Sequence, residues 1–198
     1  DVAPSRGLGD VYKRQVQAKG GFGQDGVYMP EYYYDKDNGR KVTKAGFVKD
    51  NRGLTYYLDE KGNKVLGLHE INGDLYYFRR GGAYKYTQLG DMWQDSINYI
   101  DGKIYYFGHD GRAIKNRFYQ WGNYWYYFYA DGSAATGAVQ INGQQLYFDK
   151  NHGRQVKGAF APDGHYYDEN SGELVTNQTR TIKGVTYHFD ENGNATKV

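Results

Sequence analysis

Residues 125–148 read WYYFYADGSAATGAVQINGQQLYF, and this stretch contains the pattern that decides the fold. An aromatic run is followed by Asp131-Gly132, and a second aromatic run is preceded by Asn142-Gly143. Asn-Gly and Asp-Gly pairs supply the positive φ angles that tight turns and two-residue hairpin loops require. The stretch therefore predicts short strands joined by tight turns, with no room for a helix.

The same aromatic signature occurs eight times, at residues 32–34, 56–58, 76–78, 105–107, 126–128, 146–148, 165–167 and 187–189. A turn glycine follows each copy: Gly39, Gly62, Gly82, Gly111, Gly132, Gly153, Gly172 and Gly193. Their separations are 23, 20, 29, 21, 21, 19 and 21 residues. A unit this short cannot bury its own apolar face, so neighbouring units must stack. The predicted fold is all-β: an elongated β-solenoid of stacked short antiparallel β-hairpins, with about eight repeats of roughly 21 residues.

The repeat pattern also predicts the domain limits. Residues 1–15 contain no repeat and are expected to be a disordered or foreign lead-in, whereas residues 16–198 form the aromatic repeat solenoid. The longest interval predicts a weaker repeat or an insertion at residues 83–99. Because the chain does not begin with Met, we interpret it as part of a longer protein.

Composition narrows the function. The 198 residues include 28 Gly, 23 Tyr, 9 Phe and 3 Trp but no Cys, so the core must consist largely of rings. A net charge of +2, from 25 basic and 23 acidic residues, gives no single-signed field for a polyphosphate, so no nucleic-acid partner is expected. No window is apolar enough to span a bilayer, so membrane insertion is not expected either.

Chemical motifs are weak. The glycines of residues 21–26 match a dinucleotide pattern, but no apolar strand precedes them and Pro30 follows where a helix would begin. The five histidines have no short metal-ligand spacing, and no Ser-His-Asp or Cys nucleophile context is present. The sequence predicts no metal, no cofactor and no catalytic residues.

Strand alternation assigns the two faces of each hairpin. Tyr126 and Phe128 share one side, and Trp125 and Tyr127 share the other. The Phe128 position is never charged in any copy, so it is predicted to lie in the core. The Tyr127 position is Tyr in seven copies and His188 in the last, which predicts a surface that offers both a ring and a hydroxyl.

Residues 125–158 closely resemble the glucan-binding repeats of glucansucrases, the secreted glucosyltransferases of lactic acid bacteria and oral streptococci. Residues 187–193 resemble a further copy, and the likeness covers about residues 20–198. Choline-binding modules and the receptor-binding repeats of large clostridial toxins share this hairpin architecture. Choline-binding repeats carry a Trp in nearly every unit, whereas this chain has only three, so regular choline cages are not expected.

The resemblance implies a non-catalytic, bacterial, secreted or cell-surface module that binds an α-glucan polysaccharide of the dextran type. In each pocket a Tyr ring would stack on a glucosyl face while Gln and Lys side chains bind its hydroxyls. Mapped onto matching positions, the candidate residues are Tyr106, Gln120, Trp125, Tyr126, Tyr127, Gln140, Tyr147 and Lys157. The first expected pocket combines Tyr127, Trp125, Gln140 and Lys157, and the second combines Tyr106 and Gln120; Tyr126 replaces Tyr127 if the face assignment is shifted by one residue.

Two alternatives remain open. The chain is a surface-attachment module that recognises choline or another cell-wall polymer, or it is a structural spacer whose tyrosines all pack inward.

Overall fold

The computed structural model describes residues 19–24, 31–81 and 89–198, and within them it contains seventeen strands and no helix. The chain divides into two compact units: unit 1 comprises Asp1–Ser96 and Phe107–Arg112, and unit 2 comprises Ile97–Tyr106 and Ala113–Val198. The expected lead-in at residues 1–15, the turn glycine Gly82 and residues 83–88 of the expected insertion lie outside the described residues. The domain limits therefore stay a prediction.

Each strand is two to five residues long. Unit 1 contains β1 (Gly21–Gln24), β2 (Glu31–Tyr34), β3 (Gly46–Lys49), β4 (Thr55–Leu58), β5 (Gly67–Ile71) and β6 (Asp74–Phe78). The next hairpin is β7 (Ser96–Ile100) with β8 (Lys103–Phe107). Unit 2 continues with β9 (Arg117–Trp121), β10 (Tyr124–Phe128), β11 (Gly137–Ile141), β12 (Gln144–Phe148), β13 (Ala159–Phe160), β14 (Tyr166–Tyr167), β15 (Gln178–Ile182), β16 (Val185–Phe189) and β17 (Ala195–Lys197).

In the described part of the chain, consecutive strands pair into eight small sheets, all two-stranded except the last, which adds β17 to β15 and β16. The turn chemistry matches the prediction: Asn142 and Gly143, between β11 and β12, have φ angles of 51° and 84°. Residues without a Cβ adopt this left-handed region freely, and Asn tolerates it. The predicted all-β class built from short antiparallel hairpins is confirmed.

A short segment after each of the hairpins β9–β10, β11–β12 and β13–β14 joins that hairpin to the one before. Gln155 forms an isolated bridge with Phe148 at the end of β12. Its backbone N–H donates to the carbonyl of Trp125 on the preceding hairpin, at 2.8 Å. The next N–H, from Val156, donates to the carbonyl of Tyr147 on its own hairpin, also at 2.8 Å. These bonds satisfy backbone groups that would otherwise be orphaned at a sheet edge, and they fix the order in which hairpins stack.

The core consists of rings, as the composition predicts. Phe128, Phe148 and Phe189 are completely buried, and Tyr126 is 1% exposed. The predicted core position is therefore confirmed. Full burial of one such aromatic side chain contributes about 1.5–3 kcal/mol.

The prediction that the Tyr127 position forms an exposed surface is wrong for the copies at Tyr106 and Tyr147. Tyr106 and Tyr147 are 4% and 2% exposed. Their rings are covered by residues from the next hairpin: Tyr106 lies 4.6 Å from Tyr119, and Tyr147 lies 5.7 Å from Tyr167, between ring centroids. Tyr127 itself is only half-buried. Stacking between hairpins, which alternation within one strand does not reveal, decides the exposure of this position.

Candidate functional site

An aromatic cavity of about 220 Å³ opens in unit 2, and we call it the Trp125 cavity. It is lined by Phe118, Trp125, Gln144, Leu146, Gln155, Lys157 and Ser171. One wall therefore comes from hairpin β9–β10, one from β12, and one from the segments that follow β12 and β14. Three successive repeats contribute to a single concave surface.

Hairpin register sets the aromatic wall. Trp125 pairs with Gln120, and Tyr127 pairs with Phe118, so these four side chains share one face. The Phe118 and Tyr127 rings meet edge to face at 5.0 Å, which fixes their orientation. Trp125 remains 38% exposed and presents its ring to the cavity. The predicted face assignment for this strand is confirmed.

Two polar side chains stand opposite the indole. The Gln155 side-chain amide donates to the carbonyl of Ser171 at 3.5 Å. The Lys157 ammonium donates to the carbonyl of Asn170 at 2.8 Å and lies 6.0 Å from the Trp125 ring centroid. The remaining N–H groups of both side chains are free to serve as hydrogen-bond donors to a ligand next to the ring.

An aspartate-anchored turn closes the cavity. One carboxylate oxygen of Asp168 accepts the backbone N–H groups of Asn170 and Ser171, each at 2.8 Å. The other oxygen accepts the Arg180 guanidinium at 2.6 Å. These contacts, led by the Ser171 N–H and the Arg180 guanidinium, hold the pKa of Asp168 well below its usual range. The turn is thus fixed by a carboxylate that stays ionised, and it carries Ser171 to the cavity rim.

A second cavity lies at the equivalent position one repeat further along the chain, and we call it the Gln145 cavity. Its volume is about 340 Å³, and it is lined by Gln140, Gly143, Gln145, Glu173, Leu174, Thr176, Glu191 and Asn192. Gln145 follows Trp125 by 20 residues, and Leu174 and Thr176 follow Gln155 and Lys157 by 19. The same place in the repeat is therefore polar and contains no ring.

A third cavity, of about 210 Å³, lies one repeat before the Trp125 cavity, and we call it the Ile104 cavity. Its lining includes Ile104, Ala134, Thr136 and Lys150, which precede Trp125, Gln155, Lys157 and Ser171 by 21 residues each. The three cavities are consequently copies of one site. Among the three, only the Trp125 cavity combines an exposed ring with amide and ammonium donors.

The structure brings part of the first predicted pocket together. Trp125 and Lys157 line one cavity, and Tyr127 lies on the same strand face, packed against Phe118. Gln140 instead lines the Gln145 cavity, because the β11–β12 register places it directly opposite Gln145. The single pocket expected from Tyr127, Trp125, Gln140 and Lys157 is therefore not formed.

The second predicted pocket is also divided. Tyr106 packs against Tyr119 and Trp121, which alternate with Gln120 along β9, so Gln120 points to the opposite face. The Gln120 amide donates to the carbonyl of Gly122 at 3.4 Å.

Tyr126 and Tyr147, the remaining two predicted residues, are both buried and present no free ring face. The roles of the predicted residues in binding stay predictions.

Sequence reasoning missed Phe118 and Gln155. Counting outward from the β9–β10 turn places Phe118 opposite Tyr127, so the sequence pattern could have predicted the position of Phe118. Gln155 carries no such signal, because its place in the cavity depends on a backbone bond to Trp125 in another hairpin.

No three His, Asp or Glu side chains in the described ranges are grouped so that they could hold a metal ion. Nor does that part of the chain contain a helix with the length and apolarity needed to cross a membrane.

Sequence comparisons place these repeats in a known group. A family model described as a choline-binding repeat matches residues 135–178. A second, described as a cell wall binding repeat, matches residues 45–64, 116–134 and 180–195. Together the two models cover both hairpins and the turn that form the Trp125 cavity.

Curated relatives include two streptococcal glucosyltransferases. The chain is 37% identical over 187 residues to glucosyltransferase-S of Streptococcus mutans, which is 90% of this chain and 12% of that protein. It is 38% identical over 165 residues to glucosyltransferase-I of Streptococcus downei, which is 80% of this chain and 10% of that protein. The chain thus spans about a tenth of the length of these relatives.

Solved structures agree with the hairpin fold. Choline binding protein F of Streptococcus pneumoniae superposes with a TM-score of 0.70 at 27% identity, over 90% of this chain and 57% of that one. The modular autolysin LytC of the same species superposes with a TM-score of 0.63 at 22% identity, over 88% of this chain and 37% of that one, and supports the fold alone. The chain therefore belongs to the choline-binding and cell wall binding repeat family, together with the glucan-binding repeat domains of glucansucrases.

Proposed function

We propose that the chain is a non-catalytic carbohydrate-binding module that holds an α-glucan of the dextran type, with the Trp125 cavity as its principal site. The observation that carries this proposal is the exposed indole with the Gln155 amide and the Lys157 ammonium beside it. A pyranose offers an apolar C–H face and a rim of hydroxyl groups. A ring flanked by donors matches both without any need for charge complementarity.

The same geometry disfavours a quaternary ammonium ligand at this cavity. Such a ligand needs several ring faces and no competing cation. The Lys157 ammonium, 6.0 Å from the Trp125 ring, would repel a second cation placed on that ring. A neutral sugar instead gains hydrogen bonds from the same group.

Further ring surfaces support binding of a polymer through several weak contacts. Phe47 and Phe160 are 44% and 41% exposed. Each meets the Tyr opposite it in its hairpin edge to face, at 4.9 and 5.1 Å, as Phe118 meets Tyr127. A single contact of this kind corresponds to millimolar affinity, about 4 kcal/mol, and linked contacts on one polymer gain about a hundredfold.

We place glycosyl transfer outside this chain. General acid catalysis by a carboxyl group requires a raised pKa. In two turns the pKa of an Asp is lowered: the Ser133 hydroxyl and then the Lys103 ammonium lower the pKa of Asp131 to about 2, and the pKa of Asp168 is shifted in the same direction. Burial raises the pKa of Asp91, but the Arg79 guanidinium pairs with its carboxylate at 2.7 Å. The carboxylates of Asp131 and Asp168 stabilise their own turns by accepting backbone N–H groups. The module would serve to keep a secreted or cell-surface protein on its polysaccharide.

Attachment to a cell-wall polymer is the second candidate function. Two observations favour it: the match of this chain to choline-binding and cell wall binding repeats, and a structure of choline binding protein F determined in the presence of a peptidoglycan analogue. That relative superposes with a TM-score of 0.68 at 26% identity.

Affinity electrophoresis separates the two functions. The 198-residue chain is run through gels that contain dextran or soluble starch, and over a choline matrix in parallel. Trp125→Ala is the test variant, and Trp121→Ala is its matched control, because Trp121 is similarly exposed but does not line the cavity. Retardation by dextran that Trp125→Ala abolishes and Trp121→Ala preserves supports α-glucan binding. Unretarded migration in dextran with retention on choline would establish wall attachment instead.

A further inference from the structure

A fourth copy of the site lies in unit 1, and it is filled by the chain itself. Phe22 pairs with Tyr33 across β1–β2, as Phe118 pairs with Tyr127 across β9–β10. Glu31 stands two residues before Tyr33, at the position that Trp125 occupies in its own strand.

The other two walls of this copy come from the next hairpin. Lys64 forms an isolated bridge with Leu58 after β4, as Gln155 does with Phe148 after β12. Tyr56 stands two residues before Leu58, at the position of Leu146 in the Trp125 cavity.

The Lys64 ammonium lies inside this copy. Its nitrogen is 3.6 Å from the centroid of the Phe22 ring and 5.1 Å from that of the Tyr56 ring. The two rings meet edge to face at 4.6 Å, so they form two walls of a corner. A carboxylate oxygen of Glu31 lies 2.6 Å from the same nitrogen. Only 11% of the Lys64 side chain is exposed.

The walls are fixed independently of the lysine. The Tyr56 hydroxyl donates to a carboxylate oxygen of Asp50 at 3.2 Å, and the Tyr56 ring is fully buried. The Tyr33 hydroxyl donates to the carbonyl of Lys49 at 2.8 Å, and the Tyr33 ring meets Phe22 at 5.3 Å. The corner therefore does not depend on Lys64 for its shape.

We propose that Phe22, Tyr56 and Glu31 form an ammonium-binding cage whose occupant is Lys64 of the same chain. Ring faces and one carboxylate around a desolvated cation are the arrangement that recognises organic ammonium groups. Occupation by Lys64 closes this copy of the site to outside ligands. Removal of the lysine ammonium opens it to a small alkylammonium ion.

The first test uses the native chain. Its lysines are acetylated with limiting N-hydroxysuccinimidyl acetate, and each modified position is quantified by mass spectrometry. Lys103 is the matched control, because it pairs with Asp131 at 2.9 Å but has no ring over it and is 55% exposed. Lys64 is expected to react about tenfold more slowly than Lys103, as one decade corresponds to a desolvated cation–π contact. Equal rates would overturn the proposal.

The second test separates the rings from the carboxylate. Phe22→Leu preserves apolar bulk but removes the π face, and it is expected to raise the Lys64 acetylation rate severalfold. Glu31→Gln is expected to raise it less. A larger effect from Glu31→Gln would reduce the contact to an ordinary ion pair and contradict the cage.

The third test empties the cage. Tetramethylammonium is titrated into Lys64→Ala by calorimetry, with tert-butanol as the uncharged comparison. We expect one additional site for tetramethylammonium, absent from the native chain and from Lys64→Ala with Phe22→Ala, and about tenfold weaker binding of tert-butanol. A folded Lys64→Ala chain that binds no more tetramethylammonium than the native chain would overturn the proposal. If that variant does not fold, the acetylation rates decide.

Discussion

The Trp125 cavity and the Gln145 cavity occupy the same place in successive repeats of unit 2, yet they differ in chemistry. The first contains an exposed indole with Gln155 and Lys157 beside it. The second has Gln145 at the indole position and is bordered by the carboxylates Glu173 and Glu191. Beneath both, Phe128 and Phe148 are completely buried in equivalent positions.

This difference separates what holds the fold from what binds a ligand. The strand register, the turns and the buried ring are almost the same in these two successive repeats. In these two cavities, the strand residue two positions before the Tyr127 position and two residues in the following segment differ, and none of them is buried. An array of this kind acquires or loses a binding site by substitutions that leave its packing intact.

The largest expected effect comes from the packing of rings between neighbouring hairpins. Tyr147→Ala removes a ring that is 2% exposed and packs on Tyr167, so we expect a loss of about 3–5 kcal/mol in the free energy of unfolding. Urea unfolding measures it, with Tyr147→Phe as the control that keeps the ring. A Tyr147→Ala chain of native stability that no longer binds glucan would instead make Tyr147 a ligand residue.

The next effect concerns the turn that closes the Trp125 cavity. The pKa of Asp168 is lowered in the folded chain, so its carboxylate stabilises the fold above the unfolded pKa of about 4, and this contribution is lost as pH falls below that value. Asp168→Asn is expected to cost about 2 kcal/mol at pH 7 and to flatten the acid side of the stability profile.

Thermal unfolding from pH 2 to 7 checks this expectation. Asp163→Asn, in a turn that does not line the Trp125 cavity, is the comparison. An unchanged acid profile in Asp168→Asn would show that the turn is held by other contacts.

An exchange of the residues at positions 125 and 145 tests whether the ring explains the difference between the Trp125 cavity and the Gln145 cavity. Trp125→Gln is expected to weaken isomaltotriose binding about tenfold while changing stability by less than about 1 kcal/mol, because the indole is partly exposed. Adding Gln145→Trp to that variant moves the ring one repeat along and should restore part of the retention in dextran gels. Gln145→Leu, which adds bulk without a ring, should not. Equal recovery by both would mean that apolar area, and not an aromatic face, is what the sugar requires.

The smallest effect concerns the ammonium beside the indole. Lys157→Met keeps the apolar stem but removes the donor to Asn170 and to the ligand, so we expect about threefold weaker isomaltotriose binding. Calorimetry measures this change, and Lys150→Met is its control because Lys150 lines the Ile104 cavity and not the Trp125 cavity. Tighter sugar binding in Lys157→Met would contradict a donor role.

Local signals in the sequence were sufficient for the hairpins. Asn142-Gly143 marks the β11–β12 turn, and alternation correctly places Phe128 in the core and Trp125 on the opposite face. These features depend on residues a few positions apart, whose geometry the backbone dictates directly.

The composition of the cavities could not be predicted in the same way. Gln140 lies in the Gln145 cavity and Tyr106 is covered by Tyr119, because each cavity is completed by side chains of a neighbouring repeat. Gln155 enters the Trp125 cavity through a backbone bond between hairpins. Such placements depend on the stacking of one hairpin on the next, which no pattern within a single strand encodes.

The most direct test of carbohydrate binding at Trp125 uses the three indole N–H resonances of the chain, from Trp93, Trp121 and Trp125, as internal probes. Isomaltotriose is titrated into the ¹⁵N-labelled chain, and the resonances are assigned by single Trp→Phe variants. Trp93 packs against Tyr77 in unit 1, and Trp121 lies on the opposite face of β9–β10 from the cavity. The account predicts that the Trp125 resonance shifts saturably and by the largest amount. A larger shift at Trp93 or Trp121, or none at any of the three, would contradict it.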